Sequence, residues 1–249
     1  MKLSDKIALV TGGTKGIGAA AALALARDGA DVVISGRTQD AEALATLDGI
    51  RALGRRAQLI LADLSKPAES TRLVQETLQH FGRLDVVIHS AGGPVPGGLF
   101  ELTPEQWHGA FDAHVHAIFY LCRAAIPSMR ERKEGAIILI SSTAGIRGIV
   151  TNVAYQVAKG AIPQFTRALA REFANDNIRV NCVAPGVVRT AFHATMTEAQ
   201  KKLNLEQRIP LHREGTPEQV GTLILELVKN DYITGETMTI DGGLTMRIA

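Results

Sequence analysis

Short β-branched runs alternate with longer segments of helical periodicity along almost the whole chain. Seven runs have the length and composition of strands: residues 7–10, 32–35, 58–61, 85–89, 136–140, 179–183 and 238–240. Alanine- and leucine-rich segments with helical spacing lie between them: residues 19–27, 68–81, 104–132, 152–174 and 217–229. This alternation favours parallel strands joined by right-handed crossovers, which place helices on both faces. The pattern predicts an α/β fold with a doubly wound, seven-stranded parallel sheet.

The length and composition fit one large domain. The chain has 249 residues, 46% of them hydrophobic, which is enough to bury a sizeable core. We expect a single domain over residues 1–249. Its least regular part, residues 189–212, follows a strand end and is expected to form a mobile wall over a ligand site. An ordinary surface connection is the alternative for this segment.

Charge and cysteine content argue against several classes of partner. The 27 Lys and Arg residues nearly balance the 25 Asp and Glu residues, so nothing draws the whole molecule to nucleic acid or to an anionic membrane. Cys122 and Cys182 lack metal-ligand spacing and are expected to be buried reduced thiols, and no metal site is predicted. Because the sequence shows neither a signal peptide nor an apolar run of about 20 residues, a cytoplasmic location is expected.

A glycine-rich run, TGGTKGIG, directly follows the first predicted strand and opens the first helix. Gly12, Gly16 and Gly18 would leave backbone amides at a helix N-terminus free to face a pyrophosphate. The spacing differs from Gly-x-Gly-x-x-Gly, and a tight structural turn is an almost equal alternative for this run alone. The context favours a dinucleotide, because Asp63-Leu64 ends the third strand and Ala91-Gly92 ends the fourth.

The end of the second strand bears on the phosphate state of the cofactor. A fold that selects NAD usually carries an acidic residue there for the ribose 2′-hydroxyl, whereas this chain reads Ser35-Gly36-Arg37. An arginine fork binds a 2′-phosphate well, and Lys15 in the glycine run could reach the same group. NADP(H) is therefore predicted in preference to NAD(H). Two solvated surface cations are the alternative.

Tyr155 and Lys159 are four residues apart and share one helix face. A phenol with a pKa of about 10 exchanges protons poorly at neutral pH, and a nearby ammonium is expected to lower that pKa. Ser142 closes the fifth strand, from where it could meet the Tyr155 hydroxyl and donate to a carbonyl oxygen. The three groups are therefore expected to converge on one substrate atom.

These motifs together resemble the classical short-chain dehydrogenase/reductase family over essentially the whole chain. The matching elements are TGGTKGIG, Asp63-Leu64, Ser142, Tyr155-x3-Lys159, Ile178-Arg179-Val180-Asn181, Pro185-Gly186-x-x-x-Thr190 and the tail from Ile233-Thr234-Gly235-Glu236 through Asp241-Gly242-Gly243. Within the family, the chain is most similar to the 3-oxoacyl-(acyl-carrier-protein) reductase group and its unspecialised relatives. The resemblance implies a Rossmann-type fold. It also implies hydride transfer between NADP(H) and a small carbonyl compound or secondary alcohol.

The resemblance implies roles for individual residues as well. Tyr155 would protonate the carbonyl oxygen, Ser142 would hold that oxygen, and Lys159 would bind the nicotinamide ribose and lower the tyrosine pKa. Val188 and Thr190 would contact the carboxamide. The expected cofactor contacts are Gly12, Thr14, Lys15, Gly16, Ile17, Gly18, Arg37, Asp63, Leu64, Ser90, Ala91, Gly92, Tyr155, Lys159, Pro185, Gly186, Val188 and Thr190.

Two departures from the family pattern affect these expectations. The chain reads His89-Ser90-Ala91-Gly92 where members usually read Asn-Asn-Ala-Gly, and His114 occupies the slot of an asparagine that helps hold a proton-relay water. An imidazole can bond a water and titrates near neutrality, so a modified relay with His114 in the catalytic set is expected. A buried structural ring is the alternative for His114. A catalytically silent dinucleotide sensor, or a partner-binding protein on the same scaffold, is the alternative for the whole protein.

Two further expectations concern macromolecular partners. The resemblance implies that helices 104–132 and 152–174 pair between subunits, as a dimer or a tetramer. Arg130, Arg132 and Lys133 could dock an acidic carrier protein near the site entrance, or could be a solvated helix end. The turn at residues 175–177, Asn-Asp-Asn, argues against a carrier, because carrier-dependent relatives tend to be basic there.

Overall fold

Seven parallel strands form one sheet. The computed structural model describes residues 1–193 and 196–246. The strands are β1 (Ile7–Thr11), β2 (Asp31–Gly36), β3 (Ala57–Leu61), β4 (Val86–His89), β5 (Gly135–Ile140), β6 (Ile178–Pro185) and β7 (Thr237–Ile240). Their order is β3-β2-β1-β4-β5-β6-β7, and every neighbouring pair is parallel. The order reverses between β1 and β4, where doubly wound sheets bind their ligands beyond the carboxyl ends of the strands.

Helices cover both faces of this sheet. They are α1 (Gly16–Arg27), α2 (Ala41–Ala52), α3 (Pro67–Phe81), α4 (Pro104–Phe111), α5 (Ala117–Arg132), α6 (Val153–Glu172), α7 (Glu198–Leu203) and α8 (Pro217–Lys229). On one face, Leu25 of α1 and Ile224 of α8 belong to a buried apolar cluster. On the other face, Leu73 of α3 and Ile162 of α6 belong to a second cluster. Because both faces are covered, the strands read as continuous apolar runs.

The predicted fold class is confirmed, and the strand boundaries agree to within two residues. Helix α2 was not predicted, although its signal is present in the sequence. Its buried residues Ala43, Thr46, Leu47 and Ile50 have helical spacing. The carboxylate of Asp40 accepts a hydrogen bond from the Ala43 amide at 2.9 Å and so caps the helix.

The segment predicted to be irregular, residues 189–212, contains more regular structure than expected. It holds a 3-10 turn over Ala191–His193, then α7, then a π-helical turn over Asn204–Arg208. Thr197 opens α7 with a capping box. Residues 194 and 195 of this segment lie outside the described residues.

The predicted helix over residues 104–132 contains a π-helical turn. This turn, Asp112–His116, lies between α4 and α5 without a break in the helical backbone. A π-turn inserts one extra residue into the helical repeat, so it changes which side chains face the core. His114 lies inside the turn and is buried.

Arg179 joins β6 to the end of α8. Its buried guanidinium donates hydrogen bonds to the backbone carbonyls of Leu227 at 2.7 Å, Val228 at 2.5 Å and Ile233 at 3.3 Å. The last carbonyls of a helix lack intrahelical partners, so a cation at this position satisfies them and complements the helix dipole. Burial lowers the pKa of this guanidinium. Arg179 therefore fixes the position of α8 against the sheet.

Arg179→Met should lower the free energy of unfolding by about 2–4 kcal/mol, because buried carbonyls lose a charged donor. Urea unfolding followed by circular dichroism measures this loss. Arg171→Met, which removes an exposed arginine of α6, is the matched control and should change stability by less than about 0.5 kcal/mol. A similar stability for the two variants would contradict the role given to Arg179.

Candidate active site

The glycine run forms a turn without bulky side chains between β1 and α1. Gly12 and Gly16 have φ angles of 62° and 56°, which favour glycine. A Cβ atom on Gly12 would lie 2.8 Å from the Ala91 amide nitrogen, and one on Gly18 would overlap the Gly12 carbonyl oxygen. Lys15 precedes α1 without a side-chain cap hydrogen bond, so its side chain leaves the first amides of the helix free. This cradle fits the pyrophosphate of a dinucleotide.

The expected cofactor contacts lie around this turn, at the carboxyl edge of the sheet. Thr14 is buried against Gly36 at the end of β2. The methyl group of Thr190 faces Gly16, where an added Cβ atom would lie 3.3 Å away. The turns that follow β1, β4 and β6 carry Gly12, Thr14, Lys15, Ser90, Ala91, Gly92, Gly186, Val188 and Thr190. Gly16, Ile17 and Gly18 open α1, and Pro185 is the last residue of β6.

Asp63 and Leu64 follow the end of β3 at the same edge. Leu64 is buried in the apolar cluster of the α3 face. The Asp63 carboxylate accepts a hydrogen bond from the Ser65 hydroxyl at 2.8 Å. This hydrogen bond lowers the pKa of Asp63, so its side chain is an anion at neutral pH.

The two cations predicted to bind a 2′-phosphate have different surroundings. The Lys15 ammonium lies 3.1 Å from the nearest Glu42 carboxylate oxygen and 3.9 Å from that of Asp40. Arg37 is exposed directly after β2. The start of α2 therefore places two carboxylates beside Lys15, an arrangement that the sequence analysis did not anticipate.

Ser142, Tyr155 and Lys159 meet where β5 ends and α6 begins. Lys159 is buried, and its ammonium donates a hydrogen bond to the Ile140 carbonyl at 2.7 Å. The Ser141 hydroxyl donates to the Lys159 carbonyl, also at 2.7 Å. The Lys159 nitrogen lies 5.8 Å from the centre of the Tyr155 ring, and the Ser142 side chain lowers the pKa of the Tyr155 hydroxyl. The two bonds to β5 fix the first turns of α6 at this edge.

The protonation equilibria of this group differ from those expected. Burial raises the pKa of Tyr155, and the hydrogen bond from Ser142 acts in the opposite direction. Burial lowers the pKa of Lys159 to about 8. The expected lowering of the Tyr155 pKa by the ammonium is wrong for this structure, because Lys159 donates to Ile140 and desolvation dominates at the phenol. Tyr155 is therefore a neutral hydroxyl at physiological pH.

A hydrogen bond from His89 joins the end of β4 to the π-helical turn. Its Nε2 lies 3.2 Å from the Ala113 carbonyl oxygen and its Nδ1 lies 2.9 Å from the Thr11 hydroxyl. A carbonyl only accepts, so Nε2 carries the proton and Nδ1 accepts from Thr11. Burial, with the charge of Lys159, lowers the pKa of His89 to about 3. This contact was not predicted from the sequence, in which His89 stands out only as a departure from a family pattern.

His114 packs between Gly92 and Tyr155. Its Nε2 donates to the Gly93 carbonyl at 3.0 Å, and its Nδ1 is buried without a partner among the described residues. A Cβ atom on Gly92 would overlap the imidazole. The imidazole meets the Tyr155 ring edge-on, with centroids 5.5 Å apart and an angle of 84°. Burial, with the charge of Lys159, lowers the pKa of His114 to about 2, so the expectation that it titrates near neutrality is wrong.

Phe192 is a site residue that the sequence analysis did not single out. Its ring centroid lies 5.7 Å from that of Tyr155. It belongs to the segment 189–212 that was predicted to cover the site, two positions after Thr190. An aromatic side chain within that segment was the available signal.

The basic cluster Arg130, Arg132 and Lys133 lies at the opposite edge of the sheet. It ends α5 and directly precedes β5, whose other end holds Ser142. Arg130 and Lys133 pair with Asp176 at 2.9 Å and 2.5 Å. The prediction that these cations lie near the entrance is wrong within one chain, because crossover helices in a parallel sheet end at the amino edge.

The described ranges 1–193 and 196–246 contain neither a cluster of metal ligands nor a helix suited to a membrane. No group of three or more His, Cys, Asp or Glu side chains there could hold a metal ion. No helix in the same ranges is long and apolar enough to cross a lipid bilayer. Cys122 and Cys182 are both buried free thiols, as predicted.

The order of these elements matches a known family along nearly the whole chain. A family profile described as Enoyl-(Acyl carrier protein) reductase matches residues 12–245. The 3-oxoacyl-[acyl-carrier-protein] reductase FabG of Chlamydia muridarum is 36% identical over 244 residues, which cover 97% of this chain and 98% of the relative. The chain belongs to the short-chain dehydrogenase/reductase family.

Solved structures of the family have the same architecture as this short-chain dehydrogenase/reductase. A variant of the Serratia marcescens short-chain dehydrogenase/reductase superposes with a TM-score of 0.92 at 30% identity, covering 98% of this chain and 100% of that one. The blue fluorescent protein from a metagenomic library, in complex with NADPH, gives a TM-score of 0.92 at 32% identity with the same coverage. The protein is thus an oxidoreductase of carbonyl and alcohol groups that uses a nicotinamide dinucleotide.

The buried ammonium of this short-chain dehydrogenase/reductase should make stability depend on pH. The Lys159 pKa is about 8 in the folded state against 10.5 for free lysine, so the unfolded chain binds the proton more readily between these pH values. The free energy of unfolding should therefore rise with pH across this window, by about 1–3 kcal/mol relative to Lys159→Met.

Urea unfolding of both proteins between about pH 8 and pH 10 measures that difference. Lys202→Met removes an exposed lysine of α7 and should show no such trend. A stability difference between wild type and Lys159→Met that stays flat or falls with rising pH would contradict the buried, desolvated ammonium.

Proposed function

We propose that the protein is an NADP(H)-dependent reductase that converts a ketone or aldehyde into an alcohol, and that Tyr155 is its proton donor. The observation that carries this proposal is the convergence of Ser142, Tyr155 and Lys159 at the sheet edge that holds the glycine turn. A cofactor-binding turn alone would suit a sensor as well as an enzyme. A neutral phenol beside a serine hydroxyl is a feature that proton transfer requires and that sensing does not.

The residues would divide the reaction between them. When bound, the reduced nicotinamide supplies a hydride to the carbonyl carbon. Tyr155 gives its hydroxyl proton to the carbonyl oxygen, and Ser142 donates a hydrogen bond that stabilises the negative charge developing there. Lys159 lies within 5.8 Å of the phenol ring, and its pKa of about 8 allows it to exchange protons near neutral pH. It can therefore return a proton to the phenolate that remains after the transfer.

His114 would act on this cycle as an acceptor. The Nε2–H of His114 donates its hydrogen bond to the Gly93 carbonyl. Only the Nδ1 lone pair is therefore left to accept a hydrogen bond from another group. That lone pair can orient a water or a hydroxyl, but a neutral imidazole with a pKa of about 2 does not itself supply the proton. The asparagine of related proteins has both a donor and an acceptor. His114 would thus give a modified relay.

The preference for NADP(H) is supported by the charges at the end of β2. Arg37 is exposed where the cofactor's 2′-phosphate would lie, and the position that often carries an acidic residue is occupied by Ser35-Gly36. The Lys15 ammonium already pairs with the carboxylates of Glu42 and Asp40. We therefore assign the larger part of the selectivity for NADP(H) to Arg37. The solved NADPH complex of a relative is consistent with this choice.

A small carbonyl substrate is favoured over one delivered by a carrier protein. The FabG relatives are named for 3-oxoacyl thioesters, which makes that class the first to test. Within one chain, however, the basic cluster that ends α5 lies at the opposite edge and is paired with acidic residues. The segment 189–212, which is expected to cover the site, contributes an apolar side chain, since Phe192 packs beside Tyr155.

We also propose that the protein is a homo-oligomer in which α5 and α6 pair between subunits. Both helices keep large apolar side chains in contact with solvent. Phe119 of α5 is 44% exposed and Val157 of α6 is 47% exposed. Burial of such side chains against a second copy would stabilise a symmetric dimer or tetramer.

Tyr155→Phe should reduce turnover by about 10²–10⁴-fold, because the phenyl ring keeps the packing and loses the proton. Consumption of NADPH with ethyl acetoacetate, cyclohexanone and the acetoacetyl thioester of N-acetylcysteamine measures this. Tyr232→Phe is the matched control, since Tyr232 is 97% exposed and should not affect turnover. Tight NADPH binding by the wild type without turnover of any carbonyl compound would reject the reductase and favour the dinucleotide sensor.

Arg37→Ala should lower the selectivity for NADPH over NADH by about 10–100-fold, because a charged hydrogen bond to the 2′-phosphate is lost. The dissociation constants of both cofactors, from fluorescence titration, give this ratio. Arg27→Ala removes another exposed arginine, at the far end of α1, and should leave the ratio unchanged. If Arg37→Ala and Arg27→Ala bind NADPH with equal affinity, residues other than Arg37 determine the selectivity.

A further inference from the structure

We propose that Gln156 is a positioning residue that holds the substrate-side loops in place beside Tyr155, an inference that rests on the proposed reductase function. Gln156 is the residue after Tyr155, so both belong to the first turn of α6. Two loops adjoin this turn at the carboxyl edge of the sheet. They are the β4 loop, residues 90–103, and the β5 loop, residues 141–152.

The Gln156 side chain pairs with the backbone of Ile149 in the β5 loop. Its Oε1 accepts from the Ile149 amide at 2.7 Å, and its Nε2 donates to the Ile149 carbonyl at 2.6 Å. The same Nε2 lies 3.1 Å from the Asn152 carbonyl. The carboxamide thus makes the two hydrogen bonds that a neighbouring β-strand would make. The opposite amide orientation would set a donor against a donor, so these contacts fix which atom is oxygen.

The β5 loop in turn holds the β4 loop. The Gly97 amide donates to the Thr151 carbonyl at 2.9 Å, and the Val153 amide donates to the Gly97 carbonyl at 3.1 Å. Thr151 has a φ angle of 56°, which is unfavourable for a β-branched residue and persists only when its surroundings fix it. The segment 149–153 is therefore fixed on one side by Gln156 and on the other by Gly97.

These two loops carry apolar side chains that are available to a substrate. Val150 is 85% exposed in the β5 loop, and Leu99 is 68% exposed in the β4 loop. The glycine turn lies after β1 and has no hydrogen bond in common with the Gln156 side chain. Loss of the Gln156 contacts should therefore shift the substrate walls relative to the Tyr155 hydroxyl and leave the dinucleotide site intact.

The test combines substrate kinetics with hydrogen exchange. Gln156→Ala should raise the KM for the carbonyl substrate by roughly 10-fold, the effect of losing two backbone hydrogen bonds. Its kcat and its NADPH dissociation constant should each stay within about 3-fold of wild type. The Ile149 amide should exchange faster in the variant. Gln164→Ala is the matched control and should change none of these quantities. Gln164 lies on the exposed side of α6, and its side chain accepts hydrogen bonds from Arg167 alone among the described residues.

Gln156→Glu gives a readout that general destabilisation would not produce. An ionised carboxylate can accept from the Ile149 amide but cannot donate to the Ile149 carbonyl, whereas a protonated carboxyl can do both. The ratio of the KM of Gln156→Glu to that of wild type should therefore rise with pH between about 4 and 6, as this side chain ionises. The corresponding ratio for Gln156→Ala should stay flat.

Each result bears on a separate claim. Unchanged exchange at Ile149 in Gln156→Ala overturns the pairing itself. Faster exchange with unchanged KM, or an equal loss of substrate and NADPH affinity, overturns the positioning role. Absence of turnover in the wild type overturns the reductase function and the positioning role with it, while the exchange experiment still decides whether Gln156 holds the loop.

Discussion

A buried ammonium at the end of β5 is the interaction on which the site geometry depends. Lys159 donates to the Ile140 carbonyl, and Ser141 returns a hydrogen bond to the Lys159 carbonyl, so the strand end and the helix hold each other. The helix approaches closely, because a Cβ atom on Gly145 would lie 2.6 Å from the Lys159 carbonyl carbon. Removing an ammonium from water is costly, and the cost appears as the lowered pKa of Lys159. The fold thus holds a lysine with a lowered pKa beside Tyr155, and such shifted pKa values are frequent at functional sites.

The second determinant of the site geometry is a pair of neutral histidines, which connect the end of β4 with a π-helical turn. His89 and His114 donate to Ala113 and Gly93, and burial keeps both rings uncharged. A second and a third positive charge are therefore avoided beside Lys159. The extra residue of the π-turn is what brings His114 onto Gly92 and against Tyr155. The site consequently contains a fixed acceptor at His114 Nδ1.

These contacts divide the site into two parts with separate supports. The dinucleotide side depends on glycines that leave no room for a Cβ atom and on the first turn of α1. The substrate side depends on loops after β4 and β5 that are joined by backbone pairing at Gly97 and by the amide of Gln156. Because the supports are separate, substrate preference can change through loop substitutions while cofactor binding is retained.

Amino-acid periodicity was enough to predict the fold class, the strand positions and the helical spacing of Tyr155 and Lys159, because these features depend on the pattern within one element. Its motifs also indicated the family. Tertiary structure alone decided that Lys159 donates to Ile140, that Lys15 lies beside Glu42, and that the cations ending α5 lie at the far edge of the sheet. These contacts join residues that are distant in sequence or depend on loop paths, and burial then sets their pKa values. Local periodicity carries no information about either.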